Sequence, residues 1–98
     1  MTKFDFNNLE KLALQLQKSL RHEEAIAIYL FMSDGDRSLD AGHLAFCLAH
    51  CYRFLNRLPE AQYWARRAVE ENPSIDVYQE LKKDLGAISI EAILAKAE

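Results

Sequence analysis

Ninety-eight residues, half of them hydrophobic, suffice for one core and not for two, so a single domain over 1–98 is expected. The formal net charge of -3, with lysines and arginines interleaved among the acids, gives no long-range attraction to phosphate and excludes nucleic acid as the expected partner. The longest strongly apolar stretch, Ala25 to Met32, is far below the roughly 18–20 residues of a membrane span, and Met1-Thr2-Lys3-Phe4-Asp5 has no apolar run of the kind a secretory leader carries, so no membrane partner and a cytoplasmic location are expected.

From Phe6 onward, Leu9, Leu12, Ala13, Leu16 and Leu20 recur at helical spacing. The polar break Arg21-His22-Glu23 separates them from a second stripe, Ala25, Ile28, Tyr29 and Met32, which together predict a helical hairpin. Ser33-Asp34-Gly35-Asp36-Arg37 reads as a loop. Ser38 is placed to cap a third helix running to about Leu55, with Asp40 in its first turn. Asn56-Arg57-Leu58 leads to a fourth helix opened by Pro59, whose missing donor suits a first helical position, with Ala61, Trp64, Ala65, Ala68 and Val69 on one side. Asn72-Pro73-Ser74 ends it. Ile75, Tyr78, Leu81 and Leu85 mark a fifth helix closed by Gly86, and Ser89 can cap a short sixth with Ile90, Ile93, Leu94 and Ala97 facing inward. Strand signals are nearly absent, and the fold class is all-α.

Laying Ala61 over Ala25 brings the two hairpins into register. Leu9, Leu12, Ala13, Leu16, Ala25, Tyr29 and Met32 in the first unit, and Ala45, Leu48, Ala49, Tyr52, Ala61, Ala65, Ala68 and Pro73 in the second, fall on the signature positions of a tetratricopeptide repeat (TPR). The chain resembles that family over roughly residues 6–75. The resemblance implies an array of antiparallel helical hairpins with a concave groove, about two and a half repeats in five to six helices. Repeat 1 covers about 6–39, repeat 2 about 42–75, and a partial third unit 75–98. The pattern has a physical reason, since small Ala13 and Ala49 let each second helix approach its first against small Ala25 and Ala61. It also departs from the family: Leu9 and Ala45 stand where a large aromatic is usual, alanine replaces the signature glycine in both units, and Arg37 lies near the place of the first closing proline.

In TPR arrays the first helix of each pair lines the concave side. By that resemblance Leu14 and Gln17, beside Glu10 and Lys18, and then His43, Phe46, Cys47, His50, Arg53 and Phe54 are the expected groove residues for an apolar helix or strand. The competing expectation is that Phe46 and Phe54 are covered by the chain's own C-terminal helix. Capture of a C-terminal carboxylate is not expected, because Glu10, Leu14, Phe46 and His50 occupy the positions where that subclass carries lysine and asparagine.

His43, Cys47, His50 and Cys51 share one side of the third helix and are zinc-ligand types, yet one straight helix cannot wrap an ion tetrahedrally, so no metal is expected. No orienting carboxylate or oxyanion hole accompanies Cys47, so no catalytic residue and no cofactor are expected, and a disulfide between Cys47 and Cys51 would distort their shared helix. Asp34, Asp36 and Asp40 lack the later ligands of a calcium loop, and Arg53, Arg57, Arg66 and Arg67 sit among neutralising glutamates. Phe4 and Phe6 either staple the first helix or dock a second protein.

In size and arrangement the chain is similar to the needle-subunit chaperones of bacterial type III secretion systems. That resemblance implies a cytoplasmic chaperone and not an enzyme. Its groove would hold an amphipathic helix of the needle subunit and block premature polymerisation, with a small helical co-chaperone near Phe4, Phe6 and Leu9 and no small-molecule substrate. The alternative is a general TPR adaptor or self-associating scaffold.

Overall fold

The computed structural model describes residues 6–36 and 40–86. Among these there are five helices and no strand: α1 (Phe6–Lys18), α2 (His22–Asp34), α3 (His43–Phe54), α4 (Leu58–Glu71) and α5 (Asp76–Gly86). The expected roles of Phe4 and Ser38, and the sixth helix capped by Ser89, lie outside the described residues.

Two turns of the same construction reverse the chain. α1 ends with Leu20 in the left-handed region (φ 62°), where the Arg21 N–H reaches back to the Leu16 carbonyl (2.8 Å) and the Leu20 N–H to Gln17 (3.0 Å). α3 ends with Asn56 at φ 60°, the Arg57 N–H bonding the Tyr52 carbonyl (2.8 Å) and the Asn56 N–H that of Arg53 (3.0 Å). Both are Schellman closures, which satisfy the orphan carbonyls of a helix end while turning the chain back in three residues. The likeness continues into the next helix, where Arg21 pairs with Glu24 and Arg57 with Glu60, each three residues on. These turns lie at the same offset that lays Ala61 over Ala25, so the internal repeat read from the apolar pattern is also a repeat of backbone geometry.

Each helix packs chiefly on its chain neighbours, α1 on α2, α2 on α3, α3 on α4 and α4 on α5. Ala13, Ala25, Ala45, Ala49, Ala61 and Ala68 are completely buried, and Tyr29, Leu44, Leu48, Cys51 and Leu85 are the largest side chains sealed between them. Burial is uneven between equivalent positions. Leu48 is fully enclosed, whereas its counterpart Leu12 on α1 is 46% exposed, because α3 packs against both α2 and α4 while α1 packs chiefly against α2. The expected stripe of α1 is thus only partly inward: Ala13 alone is buried, Leu9 and Leu16 are half-buried, and Leu20 is exposed.

α3 begins later than the sequence predicts. Asp40 and Ala41 (φ 54° each) and Gly42 (φ 90°) form a left-handed turn, braced by the Asp40 N–H donating to the Asp36 carboxylate (2.9 Å), and the helix opens at His43. Asp40 therefore precedes the first turn of α3 and does not belong to it. Gly42 explains the delay: a Cβ there would lie 2.8 Å from the Ala68 carbonyl oxygen and 3.0 Å from the Tyr78 ring, so the start of α3 is pressed onto the end of α4 and onto α5 where no side chain fits.

Leu20 is exposed and holds a conformation that costs a branched residue about 1–2 kcal/mol, so Leu20→Gly should stabilise the chain by about 1 kcal/mol, whereas Gly42→Ala should destabilise it by about 2 kcal/mol or more. Urea unfolding followed by circular dichroism measures both, and the opposite signs are the expected outcome.

Candidate functional site

α1, α3 and α5 lie side by side. The Glu10 carboxylate on α1 approaches His43 Nε2 on α3 at 3.3 Å, and the Phe46 ring on α3 lies against Tyr78 on α5 with centroids 4.9 Å apart. Leu14, one turn beyond Glu10 on the same side of α1, is 39% exposed. Between α3 and α5 a cleft of about 240 Å³ opens, with Phe46, His50 and Arg53 on one wall and Val77, Glu80, Leu81 and Asp84 on the other. Its floor is apolar and its edges carry both signs of charge. Phe46 meets His50 edge to face at 4.5 Å, and partial burial of that ring together with the Arg53 guanidinium holds the His50 imidazole below its ordinary range, so it is neutral near pH 7.

The expected groove residues divide. Leu14, Phe46, His50 and Arg53 lie on the α1, α3 and α5 side, with Phe46 half-buried because Tyr78 of α5 covers part of it. Gln17 is committed to the core, since the hydroxyl of fully buried Tyr29 donates to its side-chain oxygen. His43 is half-buried and engaged with Glu10. Cys47, expected on the open face, is instead buried, because its place on α3 turns it toward Tyr29 of α2. Phe54 is 58% exposed, but it stacks on His22 at the start of α2 (centroids 3.9 Å) and does not line the cleft with Phe46. Its partner His22 is buried with neither ring nitrogen hydrogen-bonded, and the equivalent residue in the second hairpin is the buried Leu58, so the slot itself is apolar. On the co-chaperone side, Phe6 finds a partner in the stack, its Cζ 3.2 Å from where a Cβ on Gly35 would stand at the end of α2, while Leu9 is half-buried.

The chemistry available to the cysteines is limited. Cys47 Sγ lies 3.6 Å from His43 Nε2, the same nitrogen that faces Glu10, whereas a nucleophile relay needs base and orienting acid on opposite ring nitrogens. Burial pushes the Cys47 thiol up to about 11 and the Cys51 thiol up to about 12, the reverse of nucleophile activation. Both cysteines are free, and among the described residues no group of three or more histidine, cysteine or acidic side chains is placed to hold a metal ion. Arg57 and Arg67 are tied to Glu60, Glu70 and Glu71 within one helical turn, so much of the basic cluster is an ion-paired surface.

A second apolar surface escaped the reading of the sequence. On α2 and α4, Leu30, Phe31 and Tyr63 are exposed, and a cleft of about 740 Å³ runs between Phe31 and Trp64. The signal was present in the run Ala25 to Met32, which is too apolar for a helix with one buried stripe: Ala25, Ile28, Tyr29 and Met32 account for the inward side and leave Leu30 and Phe31 over.

Compared with models of known families, with curated proteins and with solved structures, the chain shows no match.

In the native protein both thiols should resist a soluble disulfide reagent near pH 8 (about 3–4 pH units below their values) and react only after urea unfolds the chain, as a spectrophotometric thiol assay reads. The folded chain also holds these protons more tightly than the unfolded one, whose thiols titrate near 9.0. Their contribution to stability is therefore complete below that pH and is lost as pH rises toward about 11 and about 12.

Proposed function

We propose that the chain is a TPR-type client chaperone that holds an amphipathic helix of another polypeptide along α1, α3 and α5. The observation that carries this reading is the pairing of exposed Leu14 and Val77 and half-buried Phe46 with the polar edge His50, Arg53, Glu80 and Asp84 on the side where the first helices of successive hairpins meet. The matched Schellman turns support the TPR-type array itself. Apolar anchors along the floor fix a client helix, and acids and bases at the rim set its register. The mechanism is occlusion: a client face that would otherwise self-associate is buried against the chaperone, and in a needle subunit of a type III secretion system that delays polymerisation until export.

The uneven burial of Leu12 and Leu48 supports a second partner at the other end. In the second repeat the position is sealed by the preceding hairpin, so a helical co-chaperone laid beside α1, near Phe4, Phe6 and Leu9, would supply the missing neighbour for Leu12.

Co-expression with a candidate needle subunit tests the proposal. The expected outcome is a soluble heterocomplex with the subunit unpolymerised, as sedimentation and mass measurement read. Leu14→Glu and Val77→Glu, both at exposed positions, should weaken the complex by about 2 kcal/mol, roughly thirtyfold, with helical circular dichroism unchanged. A subunit that polymerises undisturbed beside the wild-type chain, or a stable homodimer that both changes break apart, would overturn it.

A further inference from the structure

The cleft between α2 and α4 shares no lining residue with the cleft assigned to the client, and nothing in the proposed chaperone role uses it. Leu30 (37% exposed), Phe31 (49%) and half-buried Trp64 form its apolar lining, with Tyr63 (43%) edge-on to Trp64 at 5.0 Å. Apolar surface of this kind on two neighbouring helices, opened into about 740 Å³, fits the face of a third helix.

The charges around it choose the occupant. Asp34 and Asp36 stand at one end. Among the described residues lining the cleft Arg67 is the one cation, and it is already bound, its guanidinium donating to the Tyr63 hydroxyl (3.3 Å) and lying 3.3 Å from Glu70 and 3.4 Å from Glu71. With Asp34, Glu70 and Glu71 around that single cation, the rim formed by the described residues is acidic in sum. A second copy of this chain, meeting the first through the same surface, would set acid against acid between molecules that each carry a formal charge of -3. An anionic lipid surface is opposed for the same reason. We propose that the α2–α4 cleft is a docking site for a basic amphipathic helix of a protein partner, with an aliphatic or aromatic residue seated between Phe31 and Trp64 and lysine or arginine residues beside Asp34.

Trp64 is the only tryptophan in the sequence, so its emission reports on this cleft directly. The test titrates the full chain with a short amphipathic helical peptide of leucine and lysine, and in parallel with its leucine and glutamate counterpart. Expected are a saturable blue shift of Trp64 emission with the lysine peptide, weakened by salt, and none with the glutamate peptide. Phe31→Glu should lower the affinity for the lysine peptide about tenfold or more. That variant makes the protein more acidic, so unspecific attraction to the peptide would rise where seating in the cleft fails. Asp34→Lys, at an exposed position that leaves the core alone, should weaken the lysine peptide several-fold and flatten the salt dependence. Val77→Glu, which adds the same charge outside this cleft, should not lower the affinity for the lysine peptide, which separates this site from the client surface. The inference is overturned by equal binding of both peptides, by Phe31→Glu and Asp34→Lys variants that bind the lysine peptide as well as the wild type does, by a Trp64 signal that never changes, or by a wild-type homodimer that Phe31→Glu dissociates.

Discussion

The left-handed residue that closes α1 at Leu20 and α3 at Asn56 sets the geometry of everything downstream. It bends the chain back within three residues, so the next helix must lie against the one before, and two helices that close approach only where their facing side chains are small. Ala13, Ala25, Ala49 and Ala61, all without exposed surface, meet that demand. Because the turns share their hydrogen bonds, their arginine ion pairs and their dihedral signs, the second hairpin repeats the first, with α1 meeting α3 at Glu10 and His43, α3 meeting α5 at Phe46 and Tyr78, and α2 and α4 lining a cleft of their own.

A repeated unit that buries its apolar face only against neighbours leaves unfinished surface wherever a neighbour is missing. Leu48 has no exposed surface and Leu12 has nearly half of its own exposed, though each occupies the same place on a first helix. Leu58 fills the slot after the second turn with an aliphatic side chain, while His22 fills the first with an imidazole that finds no hydrogen bond and is covered instead by Phe54. The first repeat is thus the less complete of the two. Gly42 marks the opposite extreme, a point where three helices converge so closely that a methyl group would meet the Ala68 carbonyl.

How far the sequence was legible depends on how local each signal is. Helix periodicity, Pro59 at the opening of α4, the break at Asn72-Pro73 and the alanine register are statements about neighbours within a turn or two, and the five helices fall where those signals place them to within a few residues. The start of α3 was not legible, because the left-handed run through Asp40, Ala41 and Gly42 is pressed against Ala68 and Tyr78, which are distant in sequence. Cys47 and Phe54 were misplaced for a related reason. On α3 nearly every side of the helix meets another element, so a position unclaimed by the repeat pattern is not thereby a position facing solvent, and seven of its twelve residues are buried. The α2–α4 cleft was hidden behind the assumption that an amphipathic helix has one apolar side.

The two apolar surfaces differ in a way that bears on how the molecule would be used. Along the α3–α5 cleft, Arg53 stands across from Glu80 and Asp84, with His50 held neutral, so the rim offers both signs, and on the proposed reading a client would be chosen by the order of its charges. Around the α2–α4 cleft the acids among the described residues outnumber the paired Arg67, so the proposed partner there would be chosen by sign alone. The buried seam of Leu44, Leu48, Ala49, Ala61 and Ala65 joins α3, which lines the first cleft, to α4, which lines the second. On the two proposed readings, helices of different charge pattern would occupy one chain at separate clefts, each adding burial to a short run of helices that packs chiefly on its chain neighbours.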